Sequence, residues 1–160
     1  MKLEIINLQK FYPVDKKKIR KIVRSVLKLE KQDAELNVVF TDNKRIKEIN
    51  KTFLGHNYAT DVITFAYREI HREKVKKQAE KKLSLHGNTI TGEIIISVEM
   101  AEKLAQKHDC AVEGEIALYL VHGLLHLFGY DDKQMKEAKK MHQREGELLS
   151  DLGFCVPVPH

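Results

Sequence analysis

Two histidines four positions apart are the chemical feature from which the function is predicted. His122 and His126 lie within the most apolar stretch of the chain, residues 111–128. In a helix of about 3.6 residues per turn, an i,i+4 pair projects from one face, a spacing that suits metal chelation. Burying two imidazoles without partners costs desolvation free energy, which one shared divalent ion offsets. The alternative is two core histidines that are hydrogen-bonded separately.

A glycine and an acidic residue follow the pair at a spacing that favours a third ligand. Gly129 comes three residues after His126, and Asp132 three residues after Gly129. In metzincin-type sites a glycine turn brings a third residue, usually His, back to the metal. A carboxylate can replace it on zinc or manganese. We therefore expect His122, His126 and Asp132 to hold one divalent ion and its catalytic water, with Asp131 as the alternative ligand.

The residue at position 123 distinguishes peptide hydrolysis from phosphodiester hydrolysis. A zincin protease has a general-base Glu directly after its first His, whereas this chain has Gly123. Without that base the motif favours phosphodiester hydrolysis, in which the ion activates water and polarises the phosphoryl group. The bare backbone of Gly123 also permits close approach of a sheet or a substrate.

Glu115 and Tyr119 are candidates for orienting the metal ligands. They precede His122 by seven and three residues, on the same stripe of the predicted helix. Groups that hydrogen-bond a metal ligand fix its orientation. The alternative interpretation is a turn-capping acid and a core aromatic residue.

The elements that must position these residues alternate along the chain. Hydrophobic patterning predicts four strands, near residues 2–8, 36–41, 61–65 and 92–97. Amphipathic periodicity predicts helices after Asp15, after Asp42 or Asn43, over residues 98–108 and 111–128, and from Met135 to near residue 152. Gly55 and Gly129 are expected to end two of them. Strands interleaved with helices indicate a layered α+β or α/β domain.

Length and composition predict a single soluble domain. A chain of 160 residues has the usual size of one domain, so we expect residues 1–160 to form one unit. No run approaches the roughly 18 apolar residues of a membrane helix. The N-terminus lacks a signal-peptide cleavage site, so the expected location is the cytoplasm. Cys110 and Cys155 are isolated, which predicts buried thiols and no disulfide or zinc knuckle.

Positive charge is confined to two segments. The net charge is +5, yet residues 10–31 alone carry nine Lys or Arg against two acids, and residues 68–82 carry seven against three. Such segregation favours a polyanionic partner. The alternative is two solvated helix faces on an ordinary basic protein.

The motif around the histidine pair resembles the signature of a known family. The run His122-Gly-Leu-Leu-His126-Leu-Phe-Gly129-Tyr-Asp-Asp132 is similar to His-Gly-x-Leu-His-Leu-x-Gly-Tyr-Asp-His of the YbeY endoribonucleases. Residues 59–65 and 92–97 also resemble two strands of that family. Its last helix is matched by Met141, Glu145, Leu148, Leu149, Leu152 and Gly153.

The resemblance implies a fold, a cofactor and a substrate. The fold would be α+β, a small mixed four-stranded sheet packed by about five helices, one of them a zincin-like metal helix. The cofactor would be one divalent metal, zinc first, with manganese or nickel as alternatives. The activity would be cleavage of single-stranded RNA in 16S ribosomal RNA 3′-end maturation and ribosome quality control, so the partners would be RNA and the ribosome.

Two positions depart from the family pattern. The family's third His falls on Asp132, which implies either a site of two His and one Asp or weaker binding that shifts towards harder ions. A functionally important Arg of the family falls on Leu54, which has no charge for a phosphate. The candidates that would compensate are Arg45, Lys47, Lys51 and Arg68.

Two alternatives to the nuclease remain open. One is a non-catalytic RNA-binding factor of ribosome assembly in which the metal is structural. The other is a metalloprotease, which rests on the zincin-like spacing and is opposed by Gly123.

Overall fold

The computed structural model describes residues 1–67 and 89–155. The second basic segment, residues 68–82, lies outside these ranges, as does Arg68. Within the described ranges, no helix is both long and apolar enough to cross a membrane.

Four strands form one mixed sheet. They are β1 (Lys2–Asn7), β2 (Asp33–Thr41), β3 (Val62–Ala66) and β4 (Thr89–Ser97), arranged in the order β1-β2-β4-β3. The pairs β1–β2 and β2–β4 are parallel, while β3 runs antiparallel to β4 with Val62 opposite Ile96. The parallel pairs need crossover connections, and the helices of the chain provide them.

Five α-helices in the described residues accompany the sheet, which confirms the predicted α+β class. They are α1 (Lys16–Glu30), α2 (Asn43–Ile49), α3 (Val98–Lys107), α4 (Val112–Leu127) and α5 (Met135–Asp151), and a π-helical segment (Asn50–Leu54) continues α2.

Side-chain caps fix the starts of these helices. Asp15 Oδ1 accepts from the backbone N–H groups of Lys17 and Lys18, and Asp42 Oδ1 accepts from that of Arg45 at 2.8 Å. Each bond satisfies a donor that has no partner within the helix. The predicted cap of α1 is confirmed, and Asp42, not Asn43, caps α2.

The sheet separates two apolar clusters. On one face, alternate residues of β2 and β4 such as Phe40 and Ile94 pack with Leu120 and Leu124 of α4 in the main core. On the other face, Ile46 of α2 closes a smaller cluster over the β3–β4 end of the sheet. Because α4 packs directly on the sheet, the histidines of α4 are held by the main core.

Two predictions about burial are wrong. Cys110 and Cys155 are both exposed, not buried. Cys110 lies in the turn between α3 and α4, and Cys155 follows the last helix, so neither is part of an element that the core covers. Leu29, in the last turn of α1, is also exposed.

Candidate metal centre

Helix α4 presents its two histidines at the margin of the main core. Its neighbours Tyr119, Leu120 and Leu124 are almost completely buried. His122 and His126 keep 22% and 27% of their side-chain surface exposed. The helix packing therefore fixes the two imidazoles while leaving one edge of each open to solvent.

A Schellman turn ends α4 and reverses the chain. Gly129 has a φ of 103°, which L side chains rarely adopt. Its N–H donates to the carbonyl oxygen of His126 at 3.0 Å, and the N–H of Tyr130 donates to that of Leu125 at 3.0 Å. This pair of bonds defines the motif. The left-handed turn that the sequence predicts at Gly129 is confirmed, and it returns the chain towards the histidines.

The returning segment brings Asp132 to both rings. Oδ2 of Asp132 lies 3.7 Å from Nε2 of His122 and 3.6 Å from Nε2 of His126, and the two Nε2 atoms are 3.0 Å apart. The three donor atoms therefore converge on one point, as a metal-binding group does.

These separations fit a single small ion. Two ligand atoms, each about 2.0–2.1 Å from a tetrahedral zinc, lie about 3.3–3.4 Å apart. The three observed separations, 3.0, 3.6 and 3.7 Å, bracket that value. Two imidazoles and one carboxylate are a donor set that zinc accepts, and three protein ligands leave a fourth position open. The group can therefore hold a metal ion.

Asp131, the alternative ligand, has a different contact. Its Oδ1 accepts from the backbone N–H groups of Asp132 at 2.8 Å and Lys133 at 3.2 Å. This is an Asx turn, in which the side chain fixes the backbone that follows. The structure thus brings Asp132 to the histidines and uses Asp131 to shape the loop.

Glu145 of α5 is a site residue that the sequence analysis did not assign. Its side chain is only 7% exposed, and its Oε1 is hydrogen-bonded to Nδ1 of His122. Its Oε2 lies 3.3 Å from Nδ1 of His142. Glu145 stands on the apolar stripe of α5 with Met141, Leu148 and Leu149, so an acid on a buried stripe was the available signal.

The environment of His122 sets its protonation in the metal-free protein. Burial by itself lowers the pKa of His122. The hydrogen bond with Glu145 and the negative charges of Glu145, Asp61 and Asp132 outweigh burial and raise the pKa above its usual value. The neutral ring with its proton on Nδ1 can donate to Glu145 and accept at Nε2 from His126, and the doubly protonated ring can donate at both atoms.

The predicted orienting residues, Glu115 and Tyr119, lie elsewhere. Glu115 is buried, with its Oε1 3.5 Å from Nδ1 of His108. Burial, followed by the charges of Glu115 and Asp61, raises the pKa of Tyr119. In the described parts of the chain, neither makes a hydrogen bond with His122 or His126, and the role of orienting His122 falls to Glu145 instead.

Gly123 allows α4 to approach the sheet. A Cβ atom at this position would lie 3.0 Å from Cγ2 of Ile94 and 3.2 Å from Cγ2 of Thr64. Ordinary side-chain contacts are longer, so the glycine is used for close packing on β3 and β4. The glutamate that a zincin protease has at this position would require Ile94 or Thr64 to move.

The three donors open into a cavity of about 370 Å³. Another part of its wall comes from the end of the π-helical segment and the loop that follows, with Leu54, His56 and Tyr58. Leu54 is half-exposed there. Among the described residues, the wall contains no Lys or Arg. Arg45, Lys47 and Lys51 are exposed but do not line the cavity, so none of these three replaces the missing arginine within it.

Comparison with known proteins places these features in a family. The family model for Endoribonuclease YbeY matches residues 4–153. Endoribonuclease YbeY of Petrotoga mobilis is 37% identical over 155 residues, which cover 95% of this chain and 96% of that protein. Endoribonuclease YbeY of Clostridium botulinum is 38% identical over 146 residues, covering 86% and 87%.

A solved structure shares the fold at lower sequence similarity. The solution structure of a Thermotoga maritima protein superposes with a TM-score of 0.56 and 22% identity, covering 99% of each chain. The likeness supports the arrangement of the sheet and helices. With the family match spanning nearly the whole chain, and with relatives above 30% identity over most of their length, the chain belongs to the Endoribonuclease YbeY family.

Proposed function

We propose that the chain is a metal-dependent endoribonuclease that cuts single-stranded RNA, acting in 16S ribosomal RNA 3′-end maturation and ribosome quality control. The relatives of this chain are named endoribonucleases. The observation that carries the proposal is the convergence of His122, His126 and Asp132 at the margin of an open cavity. Zinc is the proposed ion, with manganese and nickel as alternatives.

The residues of the site have separate tasks in this reaction. When bound, a divalent ion lowers the pKa of a water molecule and polarises a phosphoryl oxygen. Glu145 holds the proton of neutral His122 at Nδ1, which leaves the Nε2 lone pair free as a donor. Asp131 orients the loop so that the carboxylate of Asp132 faces both rings. Gly123 lets α4, the helix that carries both histidines, pack closely against the sheet.

The basic surface of α1 supplies long-range attraction for a polyanion. The buried stripe of α1 includes Ile19, Val23 and Val26. The opposite side exposes lysines and arginines, among them Lys17, Lys21, Arg24 and Lys28. Contacts of this kind raise affinity for any nucleic acid and weaken with salt. They attract RNA without selecting the bond that is cut.

A cleavage assay with metal exchange tests the proposal. The purified protein should cut single-stranded RNA, lose activity after treatment with a chelator and regain it with zinc or another divalent ion. His126→Ala and Asp132→Asn should abolish cleavage, whereas Asp151→Asn, an exposed control at the end of α5, should not. Cleavage that persists undiminished in His126→Ala, in a preparation free of contaminating nuclease, would contradict the mechanism.

One observation favours a second candidate, a ribosome-assembly factor that binds RNA and uses the metal only for stability. The described wall of the cavity lacks Lys and Arg, and it includes Leu54, the residue on which the family resemblance places an arginine. In that case the chelator would lower the melting temperature and leave salt-dependent RNA binding intact, with no turnover at any stage. Chelator-sensitive cleavage removes this candidate.

A further inference from the structure

The cavity at His122, His126 and Asp132 is also lined by two exposed rings. Tyr58 is 56% exposed, which is unusual for a tyrosine, and His56 is exposed beside it. Their ring centroids are 5.4 Å apart, with an angle of 34° between the planes. Both residues line the same cavity as His122 and His126. The two tilted rings therefore form one aromatic patch in the lining of that cavity.

A buried asparagine fixes the loop that carries these rings. Asn50 is 2% exposed. Its side-chain Nδ2 donates to the backbone carbonyl oxygen of Tyr58 at 3.0 Å. The backbone carbonyl oxygen of Asn50 accepts from the N–H of His56 at 3.2 Å. Gly55, with a φ of 74°, makes the turn between them. Because the loop is already ordered, a ligand that uses the rings loses little conformational entropy on binding.

The charge of the cavity determines which part of an RNA this surface suits. The described wall has Asp61 and Asp132 but no Lys or Arg, so it offers no permanent cation to a phosphate beyond what a metal ion would contribute. A nucleobase is uncharged and has two flat faces. Proteins that bind single strands stack such bases on aromatic side chains. A base in a duplex has its faces covered by its neighbours and cannot make this contact.

We propose that Tyr58 and His56 form a stacking platform for one unpaired nucleobase next to the phosphodiester that is cut. This inference rests on the proposed endoribonuclease function and adds a subsite to it. The platform takes over, by stacking, the substrate positioning for which the chain lacks an arginine at Leu54. It also supplies a physical reason for single-strand preference.

The first test combines a protein variant with a base deletion. The cleavage site in a short unstructured RNA is mapped, and abasic nucleotides are placed one at a time around it. With the wild-type protein, one abasic position should raise KM by about 5- to 150-fold, the range of a lost base–aromatic stack. Tyr58→Ala should raise KM similarly on the intact RNA, and the abasic substitution should then have no further effect.

Matched variants separate stacking from a general loss of structure. Tyr58→Phe keeps the ring and should retain the KM of the wild type. Phe11→Ala removes another exposed aromatic ring, which lies outside the cavity, and should leave KM unchanged. If every abasic position raises KM equally in the wild type and in Tyr58→Ala, the platform is refuted while the nuclease remains.

A binding measurement distinguishes failure of the platform from failure of the proposed function. RNA carrying 2-aminopurine at single positions is mixed with protein in a stopped-flow instrument, and fluorescence is followed before cleavage. Stacking should quench one position in the wild type and in Tyr58→Phe but not in Tyr58→Ala. Quenching that depends on Tyr58 in a protein that cuts no RNA would support the platform and refute the nuclease. Equal quenching in Tyr58→Ala would refute the platform.

Discussion

The carboxylate of Glu145 on α5 is hydrogen-bonded to Nδ1 of His122 on α4. Such partners fix the tautomer and the orientation of a metal-binding imidazole, and their loss typically lowers metal affinity about 10- to 100-fold. Glu145→Leu should lower zinc affinity by about that factor, because it removes the acceptor and the charge. Glu145→Gln keeps an acceptor oxygen and should show a smaller loss.

Competition with a chromogenic zinc chelator measures both affinities. Glu137→Gln, an exposed residue near the start of the same helix, is the control and should bind zinc as the wild type does. Identical affinities for Glu145→Leu and the wild type would show that the contact does not serve the metal site.

The metal-free protein should lose stability as the pH rises through the region of the His122 titration. Burial lowers the pKa of His122, but the hydrogen bond with Glu145 and nearby acidic charges outweigh burial and raise the pKa overall. A group whose pKa is raised in the folded state binds more protons there than in the unfolded chain. Its stabilisation is complete below the unfolded pKa of about 6.5 and disappears above the raised folded value.

Urea unfolding in the presence of a chelator, at pH 6 and pH 8, tests this prediction. Between pH 6 and pH 8, the free energy of unfolding should fall more in the wild type than in Glu145→Leu, which lacks the acidic partner. A difference of the opposite sign would mean that burial, not Glu145, controls His122.

The two adjacent aspartates should respond differently to the same substitution. Asp132→Asn replaces an anionic donor with a neutral amide and should lower zinc affinity at least about 10-fold, no less than the loss of an outer partner. Asp131→Asn should bind zinc as the wild type does, because an asparagine oxygen can still accept the backbone N–H groups of the Asx turn. Isothermal titration with zinc measures both affinities. Weaker zinc binding by Asp131→Asn than by Asp132→Asn would identify Asp131 as the ligand.

Two glycines of α4 should respond in opposite directions to alanine. Gly123→Ala places a Cβ atom 3.0 Å from Ile94 and 3.2 Å from Thr64, so overpacking should lower the free energy of unfolding by about 1–3 kcal/mol. Gly114→Ala meets no atom within 4 Å and should stabilise the protein by about 0.4–1 kcal/mol. Denaturant unfolding of the metal-free proteins measures both. Equal stabilities would show that the α4–sheet contact tolerates an added methyl group.

Local sequence was sufficient for most elements of secondary structure. The predicted strands and helices correspond to the observed ones, because hydrophobic periodicity and caps such as Asp15 act within a few residues. The same locality made the shared face of the two histidines predictable. The rings of His122 and His126 share a helix face because of the helical repeat, and Gly129 turns the chain back because only glycine adopts that backbone easily.

Other features could not be derived from spacing, because they depend on packing between distant segments. Glu145 is 23 positions from His122 and reaches it only because α5 packs beside α4. Tyr58 and His56 line the same cavity as His122 and His126, although they precede them by more than 60 positions in the chain. The helical repeat placed Glu115 and Tyr119 on the same side of the helix as His122. It does not reveal which neighbouring element packs against each part of that side.

The sequence by itself determined the class of fold, the two imidazole donors and the turn that returns the chain, since each follows from interactions within one element. The tertiary structure alone decided that Asp132, not Asp131, faces the imidazoles, that Glu145 supports His122, and that two aromatic rings line the same cavity. Those relationships arise from the packing of α4 between α5 and the sheet, and no local pattern records such packing.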